Sequence, residues 1–269
     1  FNTNNSPFNS TAEFENLKEE DYNSTFSFME EENNRSIRFM ELIDKYEKLS
    51  YEDFKEIKYD QQYPDSILYI GNISQIFDLD KSEFPNYENL IDLIQNWDRR
   101  GDIENIGAAQ WSLYYSYMLD VLSENDLNVK DTIDIKFHLD ALEKTKARLM
   151  NNFGKLDIRL GDIQRLVRGD ESLPVSGLID MIAPTYSVPM EGGKVRAVSG
   201  ESYIMLIKYS EDGPEVETVL PYGNSSNSSS PHYTDQMKMY TEKKLKIMKI
   251  GLGLLPILLN ILLIPDTMF

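Results

Sequence analysis

The apolar residues of this chain change period after Gly154, and nothing else in the sequence constrains the fold as tightly. Upstream they recur every three or four residues, the spacing of amphipathic helices. Ile37, Met40, Leu42, Ile43 and Tyr46 line one face of a helix opened by Asn33 or Asn34. Ser50, followed by Glu52 and Asp53, opens a shorter helix with Phe54 and Ile57 turned inward. Further helical stretches run from Asp65 to Phe77, Tyr87 to Trp97, Ile106 to Leu122 and Ile133 to Met150. Downstream, Gly and Pro become frequent and short β-prone runs appear at Ser187–Val188, Val195–Val198, Tyr203–Tyr209 and Val216–Leu220. The run from Ser202 to Tyr209 is nearly all apolar and predicts a central strand buried on both faces. Glu211-Asp212-Gly213-Pro214 turns it back on Val216–Leu220 as a hairpin, and Thr234 to Ile247 returns to helix. The expectation is an α+β chain: a helical portion over residues 1–153, then a β-rich portion over 154–249 with a small antiparallel element and a closing helix, then an apolar tail over 250–269.

Charge narrows the function classes. A formal net charge of −18 argues against nucleic acid as a partner, since phosphate binding needs clustered Lys and Arg. The chain has no cysteine, so disulfides and thiol chemistry are excluded. No phosphate-cradling glycine loop or His-rich metal cluster is present. Arg168-Gly169-Asp170 and the Asn-x-Ser/Thr triplets, such as Asn23-Ser24-Thr25, recur by chance in a sequence of this composition.

Both ends carry expectations. The opening Phe1-Asn2-Thr3-Asn4-Asn5-Ser6-Pro7 is polar and lacks a signal-peptide pattern, so it reads as part of a longer or processed protein. The apolar run from Ile250 to Pro265, broken by Pro256 and Asn260, falls short of the ~20 residues a spanning helix needs. It reads as a buried or irregular tail. Lys243, Lys244, Lys246 and Lys249 before it leave a membrane anchor as the competing reading.

Six segments, in order, carry a resemblance: Asn2-Thr3-Asn4-Asn5-Ser6-Pro7; Arg35-Ser36-Ile37-Arg38; Trp97-Asp98 with Gly101-Asp102; Gln164 to Asp170 leading to Leu173-Pro174-Val175-Ser176-Gly177; Gly200-Glu201-Ser202-Tyr203; and Leu220-Pro221-Tyr222-Gly223-Asn224 with Ser230-Pro231-His232-Tyr233-Thr234-Asp235-Gln236. Together they resemble the C-terminal part of the large (β) subunit of the penicillin acylase family of N-terminal nucleophile hydrolases, which includes cephalosporin and acyl-homoserine-lactone acylases. Asn224 stands where that family has Gln, and the apolar tail has no counterpart in it.

The resemblance implies part of an αββα fold and the hydrolysis of acyl amides by an N-terminal serine upstream of Phe1, whose own α-amino group serves as base. It implies a small-molecule acyl amide as substrate, and as partners the α subunit and the N-terminal part of the β subunit from the same precursor. It also implies an autoproteolytically processed, periplasmic or extracytoplasmic enzyme, with no required cofactor but with a structural calcium ion in some members. Asn4 takes the role of donor to the developing oxyanion, which its neutral NH₂ suits. On residue type alone, Asn4 reads rather as a turn cap beside Pro7. Arg35 takes the role of an arginine that positions the nucleophile end and substrate; a surface ion pair with Glu31 or Glu32 is its bland reading, and Arg38 is the competing alignment. Glu201 is the candidate for a supporting carboxylate, and Glu13 or Glu15 for one calcium oxygen of the six to eight required. His232 and Asp235 read as a structural histidine with a capping carboxylate. A reading from another class stays open beside these: a non-catalytic binding or adhesion module, anchored through the tail.

Overall fold

A computed structural model describes residues 1–11, 13–23, 25, 32–68, 71–128 and 131–249. The apolar run from Ile250 onward, and the anchor reading with it, lies outside the described residues. Among the described residues no helix is long and apolar enough to cross a membrane. The chain divides into two compact units, Phe1–Gly200 and Glu201–Phe269.

The first unit begins with loop and short 3-10 turns, then helices whose starts are chemically marked. Helix α1 spans Asn34–Ile43, and Asn33 caps it: its side chain accepts from Ser36 N at 2.8 Å while Ser36 Oγ accepts from Asn33 N at 3.2 Å. Ser50 and Asp53 close the same reciprocal pair at the start of α2, Tyr51–Lys58. Ile57 is buried there as expected, but Phe54 is exposed. The helix expected over Asp65–Phe77 is instead a 3-10 segment, Gly71–Phe77. Gly71 has φ 42°, which an α-helix cannot contain, and Ile73 and Ile76, three residues apart, both face the core, the spacing of a three-fold turn.

Three helices then build the core: α3 (Glu88–Gln95), α4 (Ala108–Glu124) and α5 (Ile135–Phe153). Leu90, Ile91 and Ile94 of α3, Trp111 and Met118 of α4, and Leu142 and Leu149 of α5 are almost fully buried. Trp97 stacks on Trp111 with centroids 5.9 Å apart, and Tyr63 meets Trp97 edge-on at 6.0 Å. Gly107, at φ 100°, starts α4 because a β-carbon there would lie 2.6 Å from Trp97 Cβ. Ile106 therefore falls outside the helix and is exposed. Gly154, where the composition changes, is the left-handed C-cap of α5.

After α6 (Leu160–Ile163) come β1 (Gln164–Arg168), β2 (Glu171–Pro174), β3 (Thr185–Pro189) and β4 (Val195–Gly200), in one sheet ordered β2-β1-β4-β3. β1 and β2 form a hairpin through Gly169, and β1 pairs β4 in parallel.

In the second unit β5 (Ile204–Ser210) and β6 (Gly213–Val219) form the expected hairpin. Two expectations fail. β5 is an edge strand in the order β5-β6-β7, with Ile204 and Leu206 buried but Met205, Ile207 and Tyr209 exposed. The closing helix is only α7, Met237–Thr241: Lys243 takes φ 56°, which ends the helix and turns the chain into β7 (Lys246–Met248) against β6.

Candidate functional site

The opening loop is shaped by its asparagines. Asn5 accepts from Thr3 N at 3.0 Å and donates to Asn9 O at 2.7 Å, while Ser6 Oγ caps the turn at Pro7 by accepting from Phe8 N. The turn-capping work is thus done by Asn5 and Ser6. The Asn4 backbone, at φ 60°, accordingly turns its side chain elsewhere. Asn4 Oδ1 accepts from Arg35 Nη1 at 2.9 Å.

Arg35 stands in the first turn of α1 and its Nε donates to Asp180 Oδ1 at 3.0 Å. Its ion-pair partner is therefore Asp180, 145 residues away, in place of the neighbouring acids of its bland reading (Glu31 lies outside the described residues). Asp180 Oδ2 also accepts from Asn34 N at 2.9 Å and Asn34 Nδ2 at 2.8 Å. A carboxylate at a helix N-terminus is favoured by the unpaired amides and the dipole there. Asn34 is buried and clasps Leu68, accepting from its N and donating to its O. Asn33 Nδ2 donates to Thr3 O at 2.9 Å. The first turn of α1 therefore gathers three distant segments: the opening loop, residue 68 and the loop after β2.

These groups form the polar rim of a cavity of about 670 Å³ whose walls include Tyr63, Trp111, Tyr115, Ile179 and Tyr186. All of its lining residues belong to the first unit. Tyr63 OH donates to Ile179 O at 2.5 Å; burial, with the charges of Tyr115 and Asp180 adding, holds its hydroxyl well above the ordinary phenol range. Burial and Asp180 raise Tyr115 in the same sense. Both phenols stay neutral near pH 7, and the lining contains no histidine. The one carboxylate in the lining, Asp180, is held by three hydrogen bonds, which leaves the rim's asparagine amide as a hydrogen-bond donor.

Asn4 and Arg35, named from the sequence, are thus in direct contact. Arg38, the competing alignment, is committed elsewhere: its Nε and Nη2 each lie 3.0 Å from the two carboxylate oxygens of Asp60. Burial lowers its pKa, and the hydrogen bonds and charges of Asp60 and Glu41 outweigh that and raise it. Glu201 belongs to the other unit, half-buried in the approach to β5. His232 Nδ1 lies 2.8 Å from Asp235 Oδ2, both beside Gly223, where a β-carbon would lie 2.2 Å from His232 O. The pair locks a loop. Glu15 is exposed, and the Glu13 side chain lies outside the described residues. Among the described residues no group of three or more His, Asp or Glu is placed to hold a metal ion. Asp180 was not foreseen: no local pattern marks it, and only the fold brings it to Arg35; Asn34 was read from the sequence only as a residue that could open the helix.

The Penicillin amidase family model matches residues 1–251. An acyl-homoserine lactone acylase PvdQ from Pseudomonas fluorescens is 32% identical over 95 residues, 34% of this chain and 12% of the relative. The acyl-homoserine lactone acylase PvdQ of Pseudomonas syringae pv. tomato is 25% identical over 168 residues, 56% of this chain and 22% of the relative. The matches thus span well under a third of these relatives' own length. A thermostable penicillin G acylase from Alcaligenes faecalis aligns with 90% of this chain and 54% of its own, at 13% identity and a TM-score of 0.45. With the family model matched from the Asn4 loop through β7, the chain belongs to the penicillin amidase family.

Proposed function

We propose that this chain forms part of a hydrolase of acyl amides and that Asn4 donates to the oxyanion of its reaction. The observation that carries this reading is the orientation of the Asn4 amide. Arginine has donors only, so the group facing Arg35 must be the carbonyl oxygen of Asn4, and the NH₂ is left to point away from it. No described residue accepts from that NH₂. A neutral donor held in advance at the rim of a cavity is what a developing negative charge needs, because nothing has to reorganise as the charge forms. The cationic fork of Arg35 pulls on Oδ1 and so strengthens donation from the other end of the same amide. Asp180 balances the Arg35 charge, so the rim presents a donor without a bare cation.

The attacking group in this reading is an N-terminal serine, supplied with its α-amino base by protein outside these residues, in an autoproteolytically processed enzyme placed outside the cytoplasm. Attack of the serine oxygen on the carbonyl carbon moves the π electrons onto oxygen, where Asn4 Nδ2 meets them. Collapse expels the amine, which takes up the serine proton held by the α-amino group, and leaves an acyl ester that water cleaves. Two relatives are named acyl-homoserine lactone acylases, which makes N-acyl-homoserine lactones the first substrates to test. The test is release of free amine from such amides by the full-length protein and by its Asn4→Ala variant. Absence of turnover with the wild type on every acyl amide offered, or an undiminished rate in the variant, would reject the reading.

A further inference from the structure

We infer that Asp180 is a positioning residue of this site, acting on the Asn4 donor through Arg35; the inference rests on the oxyanion reading above. One carboxylate holds three donors from two adjacent residues: Arg35 Nε at 3.0 Å, Asn34 N at 2.9 Å and Asn34 Nδ2 at 2.8 Å. The Arg35 guanidinium is planar, so fixing Nε on one edge fixes where Nη1 points on the other. Nη1 is the atom that holds Asn4 Oδ1. The direction of the Asn4 amide is thus set by a carboxylate that itself lies two hydrogen bonds away.

Asp180 is built to stay where it is. Its backbone is left-handed, φ 60°, a conformation that costs energy in a residue other than glycine and persists only where its surroundings enforce it. Those surroundings are hydrogen bonds along the whole loop. Gly177 N donates to Gly101 O at 2.7 Å, Gln164 Nε2 to Gly177 O at 2.8 Å, Tyr63 OH to Ile179 O at 2.5 Å, and Ala183 N to Asp60 O at 3.2 Å. Asp180 and Arg35 have side chains only 19% and 24% exposed, so water competes weakly for the pair.

The test uses the full-length protein with N-acyl-homoserine lactones, in Asp180→Asn, Arg35→Ala and the double variant. Asp180→Asn keeps the shape but presents an NH₂ toward a donor, so the Arg35 fork is released. The expected result is a kcat lower by about 10–10²-fold with KM within about threefold, because a misplaced donor is lost chiefly in the transition state. The double variant is expected to be no slower than Arg35→Ala alone, since both changes act through one route. Losses that multiply in the double variant, or a folded Asp180→Asn with unchanged kcat, would overturn the inference. If Asp180→Asn does not fold, Asp180→Glu takes its place: it keeps the charge and is expected to show a smaller kcat loss that again does not multiply with Arg35→Ala. A separate readout needs no turnover: the Arg35 Nε–H and Asn34 N–H should exchange slowly with solvent in the wild type and faster in Asp180→Asn. Slow exchange with no amide hydrolysis would sink the oxyanion reading while leaving the clamp in place; equally fast exchange in both proteins would sink the clamp itself.

Discussion

Arg35 Nη1 donates to Asn4 Oδ1 over 2.9 Å, joining the first turn of α1 to a loop 31 residues earlier. This one bond decides which end of the Asn4 amide is free. It also separates two substitutions that would otherwise be expected to behave alike. Asn4→Ala removes both ends of the amide. Asn4→Asp keeps the oxygen for Arg35 and strengthens that contact by charge, yet loses the donor. Both are expected to lower kcat by about 10²–10³-fold in the full-length enzyme, with Asp no better than Ala. Steady-state kinetics on acyl amides checks this, and a near-normal Asn4→Asp would mean that the oxygen, not the NH₂, matters.

Arg35→Lys keeps the charge and loses the fork. A single ammonium on a flexible stem cannot hold Asp180 and Asn4 in fixed directions at once. Turnover is expected to fall by up to about 10²-fold, the scale of a misplacement near 1 Å, while melting temperature changes little. A Lys variant with wild-type kcat would show that charge alone suffices.

Gly177, at φ 92°, anchors the loop that carries Asp180, and a β-carbon there would lie 2.6 Å from Ala183 O, a backbone atom that cannot swing aside. Gly177→Ala therefore combines a strained backbone with a collision. It is expected to destabilise the protein by more than about 1 kcal/mol. Denaturant unfolding measures the loss; a neutral result would mean the loop has room that the geometry denies.

His138 is fully buried between α4 and α5, with Nδ1 2.5 Å from Tyr114 OH and Nε2 without a hydrogen-bond partner. Burial lowers its pKa below the ordinary 6.5. The unfolded chain therefore takes up a proton that the folded one resists, so the stability held above pH 6.5 declines as pH falls below that value. Urea melts between pH 5 and pH 8 are expected to show this slope and to show less of it in His138→Gln. An unchanged slope in the variant would assign the dependence to other groups.

Most of the helical portion was legible because its signals are local. The capping pairs Asn33–Ser36 and Ser50–Asp53 and the three- and four-residue spacing of apolar side chains act within a turn or two. The misreadings fall where a special backbone conformation or a neighbour distant in sequence decides. Gly71–Phe77 has helical spacing, but its positive-φ glycine and the shared inward face of Ile73 and Ile76 make it a 3-10 segment. Gln164–Arg168 carries no β alternation, yet it becomes a strand because Glu171–Pro174 and Val195–Gly200 lie on either side to receive its hydrogen bonds. Lys246–Met248 leaves the expected helix because β6 offers an open edge.

For the site, residue types and their order were enough to single out Asn4 and Arg35 by family resemblance, and the absence of cysteine excluded thiol chemistry. Whether Asn4 caps a turn or donates to an oxyanion is not decided locally, because asparagine can do both. The tertiary structure adds the contact of Asn4 with Arg35, and that of Arg35 with Asp180 across 145 residues. A hydrogen bond reports distance in space, and distance in space between such residues is fixed only when the whole core has packed.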